Sequence, residues 1–251
     1  MNWLLKFLTS SIGRKLLMSL TGLFLCLYLV IHVAGNLQLF ANDGGEAFNT
    51  YAHFMTSNPL IQVVAILTKI TILLHAFIGI YLWYINRKAK GTRNKVKNTS
   101  SSWSSRNMAF LGTVLLAFIV IHLQQFWWQA VNGAVPMVDY GHGEVDNLYL
   151  IVAEAFKQTW IVVLYVVSMV AVGYHMVHGF QSGFQSLGLN HKKYMPFIQT
   201  VSTWVFAIII PLLFAAMPLY FYFKAGYFGF EYCFLDTSVV GSKQFTVGAF
   251  A

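Results

Sequence analysis

Charged side chains are scarce in this sequence of 251 residues. Only 10% are Asp, Glu, Lys or Arg, whereas 57% are hydrophobic, and the mean hydropathy is +0.62. In a water-soluble domain such a composition would leave large apolar patches exposed, so it excludes the ordinary soluble classes. The net charge of +8 would suggest nucleic acid in a soluble protein. Here the placement of the charges along the chain indicates membrane topology instead, and no nucleic-acid partner is expected.

Cysteine is equally scarce. Cys26 and Cys233 are the two in the sequence, and neither belongs to a CxxC or CxxCH motif. The spacing therefore gives no support for a covalent c-type haem, an iron–sulfur cluster or a cysteine zinc site. The sequence also has no GxGxxG or P-loop pattern. By itself the chain is not expected to bind a flavin, a nucleotide or a cluster.

Long apolar segments are what the sequence has instead. Five of them can each cross about 30 Å of hydrocarbon at about 1.5 Å per residue. We number them spans 1–5 and predict them at about residues 16–40, 60–85, 108–131, 148–184 and 197–223. Span 1 is longer than the apolar core of a signal peptide, and Pro211 and Pro218 are expected to bend span 5 or end it early. The predicted fold is an all-α, multi-pass membrane bundle, with residues 1–251 forming a single domain.

Basic and acidic residues separate onto opposite sides of this predicted bundle. Twelve of the 16 basic residues precede span 1 or lie between spans 2 and 3 or spans 4 and 5, and all eight acidic residues lie in other segments. The positive-inside rule therefore predicts a cytoplasmic N-terminus and a C-terminus outside, which requires an odd number of spans. The basic stretch 87–106 is a topology signal that contacts anionic lipid headgroups, and it could also dock a soluble partner.

Four of the five spans have histidine within their apolar stretch: His32, His75, His122, and His175 with His178. Ionisable side chains are costly in lipid, and a lone one is often only hydrogen-bonded to a neighbouring helix. A histidine on each of four helices is much harder to explain by packing. Two imidazoles can bind a low-spin haem iron from opposite faces, which leaves no open position and suits electron transfer. The pattern predicts two b-type haems.

The depth of each histidine predicts how they pair. His32 and His122 come 17 and 16 residues after the basic residues that begin their spans, about 25 Å and 24 Å from the inner side. His75 and His175 each come 12 residues before the inner end of their spans, about 18 Å from that side. This predicts an outer pair, His32/His122, and an inner pair, His75/His175. His178 lies on the same general face as His175, and spacing alone does not choose between them.

Other side chains are candidates for secondary contacts. Gly35 and Gly79 could admit the flat macrocycle, and haem propionates need cations or hydroxyls, for which the inner-surface candidates are Arg14, Ser19 and Arg87. Lys69, inside span 2, is either a snorkelling lysine or a contact to an outer-haem propionate. The quinone site should lie near the outer haem, and its candidates are Asn36, Gln38, His53, Gln124 and Gln125. Alternatively the amides make interhelical hydrogen bonds only, and His53 is a solvated loop residue.

Short motifs on spans 1–4 carry a family resemblance. They are SIGRK (11–15) with HVAGNL (32–37), LHAF (74–77), IHLQQF (121–126), and HMVHGFQS (175–182) with QSLG (185–188). In their order and spacing they resemble the five-helix, dihaem cytochrome b anchor subunits of succinate:quinone oxidoreductases and quinol:fumarate reductases. The resemblance covers essentially spans 1–4, and the helix count fits the fifth.

The resemblance implies one haem ligand from each of spans 1–4: His32, His75, His122 and His175, with span 1 paired with span 3 and span 2 with span 4. His175 is preferred because the family's ligand precedes the glycine by four positions, and His178 would then be a neighbour of the ligand or lie on the propionate side. A flavoprotein with covalent FAD and an iron–sulfur protein are implied on the cytoplasmic face of a bacterial membrane. Electrons would pass from succinate through the clusters, the inner haem and the outer haem to menaquinone, or in reverse for fumarate reduction. The chain alone is not expected to act on succinate.

One position departs from some fumarate-reducing relatives. Those proteins have a glutamate two residues before the span-4 ligand, assigned to transmembrane proton movement, whereas this chain has Gly173. The hypothesis is that this proton route is absent and that the complex works mainly as a succinate dehydrogenase.

Two other functions are compatible with histidine-rich spans. One is a cytochrome b subunit of a hydrogenase or formate dehydrogenase, which would differ in its partner enzyme. The other is a transporter or proton channel that uses the histidines as a relay. The near absence of carboxylates within the spans argues against the relay.

Overall fold

Five helices of the computed structural model are long and apolar enough to cross a membrane. The structure describes residues 2–90 and 102–227. The five candidate spans cover Ser11–Phe40, Pro59–Ala89, Met108–Val131, Thr159–Ser186 and Met195–Ala225. The prediction of an all-α membrane bundle is therefore confirmed. The basic residues Arg93, Lys95 and Lys97, and the C-terminal Glu231, Cys233 and Asp236, lie outside the described residues.

The spans are joined by short helices and one hairpin. In chain order the helices are α1 (Trp3–Thr9), α2 (Ser11–Asn36), α3 (Glu46–Ser57), α4 (Pro59–Lys90), α5 (Trp103–Arg106), α6 (Met108–His122), α7 (Trp128–Val131), α8 (Leu148–Ala155), α9 (Thr159–Ser186), α10 (Met195–Val201) and α11 (Ile210–Tyr227). A 3-10 turn, Leu37–Phe40, prolongs α2, and π-helical stretches Leu123–Trp127 and Ser202–Ile209 join α6 to α7 and α10 to α11. Strands β1 (Met137–Asp139) and β2 (Glu144–Asp146) pair antiparallel before α8.

Two helix boundaries differ from the sequence prediction for identifiable reasons. Span 1 begins at Ser11 rather than near residue 16, because the Ser10 hydroxyl caps the helix by accepting from the Gly13 amide at 3.0 Å. The predicted span at 148–184 consists of two helices, α8 and α9. The chain between them breaks because Gln158 has an extended backbone with ψ of 114°, and the helix restarts at Thr159.

Span 5 was expected to bend at its prolines or to end early. It continues through both of them, so an early end does not occur. Pro211 has no N–H for the carbonyl of Ala207, four residues before it. The stretch just before it, Ser202–Ile209, is π-helical, which is one way in which a helix accommodates an interrupted hydrogen-bond ladder. The helix then runs on to Tyr227, with Pro218 buried inside it.

Span 4 occupies the centre of the bundle. Helix α9 packs against α2, α6 and both halves of span 5, whereas α4 packs on α2 and α6 from the side. Tyr165, Met169, Met176 and Phe180 are buried along α9, and the Phe180 ring stacks on Phe206 of span 5 at 4.4 Å. Spans 1–4 therefore form the group of helices from which the histidines project.

A buried amide joins the elements at the end of the bundle opposite the N-terminus of α2. Asn49 of α3 has no exposed surface, and its Nδ2 donates to the Tyr140 hydroxyl at 2.9 Å and to Asn147 Oδ1 at 3.1 Å. Its Oδ1 accepts from the Tyr149 amide at 2.9 Å. One side chain thus connects α3, the hairpin segment and the start of α8.

We expect Asn49→Leu to loosen this end of the protein. The substitution removes all three of these hydrogen bonds from a completely buried position, which costs about 2–3 kcal/mol. Limited proteolysis should cut residues 137–147 faster, and the midpoint of thermal unfolding should fall. Asn132→Leu is the matched control, because the exposed Asn132 side chain donates to the Trp128 carbonyl at a helix end and to no other described residue. Equal sensitivity of the two variants would contradict the assignment.

Candidate haem sites

Two pairs of imidazole rings face each other inside the bundle. His32 on α2 and His122 at the end of α6 have ring centroids 5.9 Å apart and planes at 87°. His75 on α4 and His175 on α9 have centroids 6.3 Å apart and planes at 67°. A metal bound to one nitrogen of each ring at about 2 Å requires centroids about 6 Å apart. Each pair therefore has the separation that a metal between two imidazoles needs.

The two pairs lie at different levels of the bundle. His75 Nδ1 lies 3.0 Å from Thr21 Oγ1, and Thr21 precedes His32 by eleven residues on α2. At 1.5 Å per residue this separates the levels by about 16 Å. Tyr165, whose hydroxyl lies 3.3 Å from His122 Nδ1, precedes the span-4 ligand candidate by ten residues, which gives about 15 Å.

This spacing is about twice that predicted from the sequence. The depths of about 25 and 18 Å assumed that Lys15 and Arg87 lie at the same height. In the structure, Arg14 Nη1 donates to the Tyr81 hydroxyl at 3.2 Å, so Arg14 is level with a residue six positions before Arg87. Six residues of helix are about 9 Å, which accounts for the difference.

The Nδ1 atoms of three of the four imidazoles face a polar group. Thr21 faces His75, the Tyr165 hydroxyl faces His122, and Asn36 Nδ2 lies 3.4 Å from His32 Nδ1. His175 Nδ1 is buried without a hydrogen-bond partner among the described residues.

The four Nε2 atoms have no protein partner in the described part of the chain. None of these four atoms is completely enclosed by protein, so each borders open space. When a histidine binds a metal through one nitrogen, the other usually donates to a fixed group. At His75 and His122, Nδ1 faces a polar group and Nε2 is free. A histidine that binds a metal commonly has this arrangement.

Glycines flank the inner pair. A Cβ atom on Gly22 of α2 would lie 3.2 Å from His75 Cε1, and one on Gly112 of α6 would lie 3.9 Å from His175 Cε1. A side chain at Gly22 would therefore press on the His75 ring, whereas a Cβ at Gly112 would make only an ordinary contact with the His175 ring. The two glycines suggested by the sequence lie elsewhere, because Gly35 faces the Tyr51 ring and Gly79 faces the Met18 methyl group.

Aromatic rings surround the outer pair. Tyr28 stacks on His32 with centroids 5.3 Å apart, and Phe214 lies 5.5 Å from His32. Phe118 and Phe126 lie 5.8 and 5.3 Å from His122. These rings, from spans 1, 3 and 5, give the outer pair a largely apolar surrounding.

The propionate candidates differ in their surroundings. Arg14 is half-buried, and its Nε has no hydrogen-bond partner among the described residues, so an anionic group would fit there. Ser19 is buried but satisfied, because its hydroxyl donates to the Lys15 carbonyl at 2.8 Å. Arg87 is exposed and lies 5.4 Å from the centroid of the Trp83 ring.

Lys69 and His178 have less specific surroundings. The Lys69 ammonium lies 4.5 Å from the centroid of the Trp127 ring on span 3, a cation–π distance. Its side chain is therefore directed between spans 2 and 3. His178 is half-buried, three residues beyond His175, and has no hydrogen bond to another described residue.

The structure brings two of the five quinone candidates to the outer pair. Asn36 Nδ2 donates to the His32 carbonyl at 2.7 Å, and Gln125 Oε1 accepts from the Tyr165 hydroxyl at 2.6 Å. Gln124 is exposed next to them on the π-helical stretch. Gln38 instead lines an open cleft of about 520 Å³ with Asp43, Glu46 and Tyr51 among its neighbours, and His53 is exposed on α3.

Sequence reasoning missed Thr21, Tyr165, Gly22 and Gly112. A hydroxyl or a glycine in an apolar span is a weak signal by itself, because both are common in membrane helices. The signal becomes specific only when the height of each span is known well enough to place these residues opposite a histidine.

The chain has a curated relative in a bacterium. It is 25% identical over 193 residues, 76% of this chain and 84% of the relative, to the "Succinate dehydrogenase cytochrome b558 subunit" of Bacillus subtilis (strain 168). The relative is a succinate dehydrogenase subunit. This similarity supports the family suggested by the motifs, and the words cytochrome b in the relative's name imply haem b. No protein-family model matches the chain, and no solved structure matches it.

Proposed function

We propose that this chain is the membrane-anchor subunit of a bacterial succinate dehydrogenase, and that it holds two haem b groups through His32/His122 and His75/His175. One observation carries the proposal: the four imidazoles form two facing pairs on alternate spans, and each Nε2 is free of protein partners in the described residues. The similarity to the Bacillus subtilis subunit supports the assignment to succinate dehydrogenase.

The donor set and its surroundings fit haem rather than a hydrated metal ion. Neutral imidazole suits iron, and no group of three or more His, Cys, Asp or Glu side chains capable of holding a metal occurs in the described residues. A haem held by two of these imidazoles would be a one-electron carrier with no open site for oxygen. The unpaired Nε of Arg14 and the glycines beside the inner pair are consistent with a large anionic ligand.

The protein's own residues orient and shield these ligands. Thr21 and Tyr165 fix the rings of His75 and His122 by hydrogen bonds, and α2 and α9 hold the two levels about 15 Å apart. The aromatic rings around the outer pair exclude water from it. A rigid helical support of this kind limits the reorganisation that accompanies each electron transfer.

The inner end of the bundle is proposed to face the cytoplasm and the partner subunits. Lys15, Arg87, Lys88, Lys192 and Lys193 are all exposed there. A flavoprotein with FAD and an iron–sulfur protein would dock on this basic surface, with the C-terminus of the chain outside. Electrons from succinate would reach His75/His175 first and His32/His122 second. Menaquinone would be reduced near the outer pair, where Asn36, Gln124 and Gln125 lie.

Succinate-dependent haem reduction in membranes that contain the assembled complex tests this function. We expect succinate to reduce the haems and a soluble menaquinone analogue to reoxidise them, as followed by the visible absorption bands. Reduction by hydrogen or formate but not by succinate would favour the other cytochrome b families. Haems that respond to dithionite but to none of these donors would contradict the proposed complex while leaving haem binding intact.

A further inference from the structure

In each facing pair, one imidazole has a hydrogen-bond acceptor at Nδ1, and the other has none among residues 2–90 and 102–227. At the inner pair the acceptor is Thr21. Its hydroxyl donates to the Leu17 carbonyl at 2.7 Å, with the Met18 carbonyl also within reach at 3.1 Å. The single proton of the hydroxyl is thereby committed, so its oxygen is left to accept from His75 Nδ1–H at 3.0 Å.

The outer pair has the same arrangement of hydrogen bonds, made by different residues. The Tyr165 hydroxyl donates to Gln125 Oε1 at 2.6 Å, which leaves its oxygen to accept from His122 Nδ1–H at 3.3 Å. Tyr165 is buried, and its ring packs edge-on against Phe118 and Phe156, so the hydroxyl is held in place.

Among the described residues, the opposite ligands have no such acceptor. His32 Nδ1 lies 3.4 Å from the amide nitrogen of Asn36, which already donates to the His32 carbonyl at 2.7 Å. An amide nitrogen cannot accept a proton from Nδ1. His175 Nδ1 is buried and has no partner in the described part of the chain.

We propose that Thr21 and Tyr165 are positioning residues, each of which strengthens one axial ligand and lowers the reduction potential of one haem. The proposal rests on the function proposed above. A hydrogen bond from Nδ1–H raises the basicity of the metal-binding nitrogen, which favours oxidised iron. His75 and His122 are then the stronger ligands of their haems, and His32 and His175 the weaker ones.

Potentiometric titration of the haem absorption bands in Thr21→Val and Tyr165→Phe variants tests the proposal. Mutation of a hydrogen-bond partner of a metal-bound histidine typically costs 10–100-fold in metal affinity or activity. We expect the ratio of reduced to oxidised haem at a fixed potential to rise about tenfold, which corresponds to about 59 mV for a one-electron couple. Thr21→Val should shift one haem and Tyr165→Phe the other. Thr21→Ser, which keeps the hydroxyl, should titrate like the wild-type protein.

Matched controls remove hydroxyls that do not face an imidazole. The buried Thr68 donates to the Val64 carbonyl, and Tyr222 pairs with Thr159, so Thr68→Val and Tyr222→Phe should leave both potentials unchanged. Wild-type potentials in both Thr21→Val and Tyr165→Phe, or equal shifts in the controls, would overturn the proposal.

Haem retention provides a second readout that does not depend on potentials. His32→Ala and His175→Ala leave the stronger ligand of a pair in place, so they should retain more haem after purification than His122→Ala and His75→Ala. Equal or reversed retention would contradict the ranking of the ligands. A wild-type chain without two haems would instead refute the proposed function, so the two failures are distinguishable.

Discussion

His122→Ala is expected to reduce the haem content of the purified chain from two to one. The remaining outer imidazole, His32, has no Nδ1 acceptor in the described part of the chain, so we do not expect it to hold the group alone through detergent extraction. His75→Ala should remove the other haem, because the Nδ1 of its partner His175 also has no acceptor among the residues that the structure describes. The double variant should contain none. Haem extraction with quantitation per mole of chain measures each ratio.

The spectra and one control make this prediction specific. The outer pair is enclosed by aromatic rings and the inner pair is flanked by glycines, so the two single variants should lose different components of the reduced-minus-oxidised spectrum. His178→Ala removes a histidine from the same turn of α9 and should retain both haems. Loss of haem from His178→Ala but not from a His175 variant would reassign the span-4 ligand.

Gly173→Ala is expected to destabilise the contact between spans 4 and 5. A Cβ atom at this position would lie 2.7 Å from the Ala207 carbonyl oxygen, which is closer than van der Waals contact allows. The backbone of span 5 therefore approaches span 4 closely at a position that has no side chain, as glycine allows in membrane helices. Overpacking of this kind costs about 1–3 kcal/mol.

The matched control lies on the same helix. At Gly179 an added Cβ would meet only the Met108 methyl group at 3.9 Å and His175 Cδ2 at 4.0 Å, which are ordinary contacts. Gly179→Ala should therefore leave the midpoint of thermal unfolding in detergent unchanged or raise it, whereas Gly173→Ala should lower it. A midpoint for Gly173→Ala at or above that of the wild-type protein would show that span 5 does not depend on this contact.

The same contact gives a physical reason why this chain has Gly173 where some fumarate-reducing relatives have a glutamate. A glutamate there would have to displace the backbone of span 5, so this packing and a carboxylate at residue 173 exclude each other. The hypothesis that the proton route is absent follows from this position. Membrane-potential measurements that reveal compensating proton transfer during turnover of the complex would overturn it.

The sequence was sufficient for the number of spans and for the pairs of histidines that lie together. Apolar length identified all five helices, since nothing but a bilayer suits such segments. The height of the flanking charges ordered the histidines into outer and inner groups, and His32 lies beside His122 and His75 beside His175 in the structure. Their role as ligands remains a prediction.

The sequence was not sufficient where the result depends on the register between helices. Thr21 lies beside His75 because Arg14 is level with Tyr81. The sequence prediction instead set the start of span 1 level with Arg87, which is about 9 Å further along span 2. The break between α8 and α9 depends on the backbone of Gln158, within an otherwise apolar run. The close approach of Ala207 to Gly173 likewise depends on how spans 4 and 5 pack, which no local pattern reveals.

The most direct test of the account is the number of haems bound by the purified wild-type chain. The chain is expressed with its partner subunits, extracted in mild detergent, and assayed for haem b and for protein by independent methods. Two facing pairs of imidazoles predict two haems per chain, both low-spin. A ratio near zero would contradict the account as a whole, and a ratio of one would contradict the assignment of one of the two pairs.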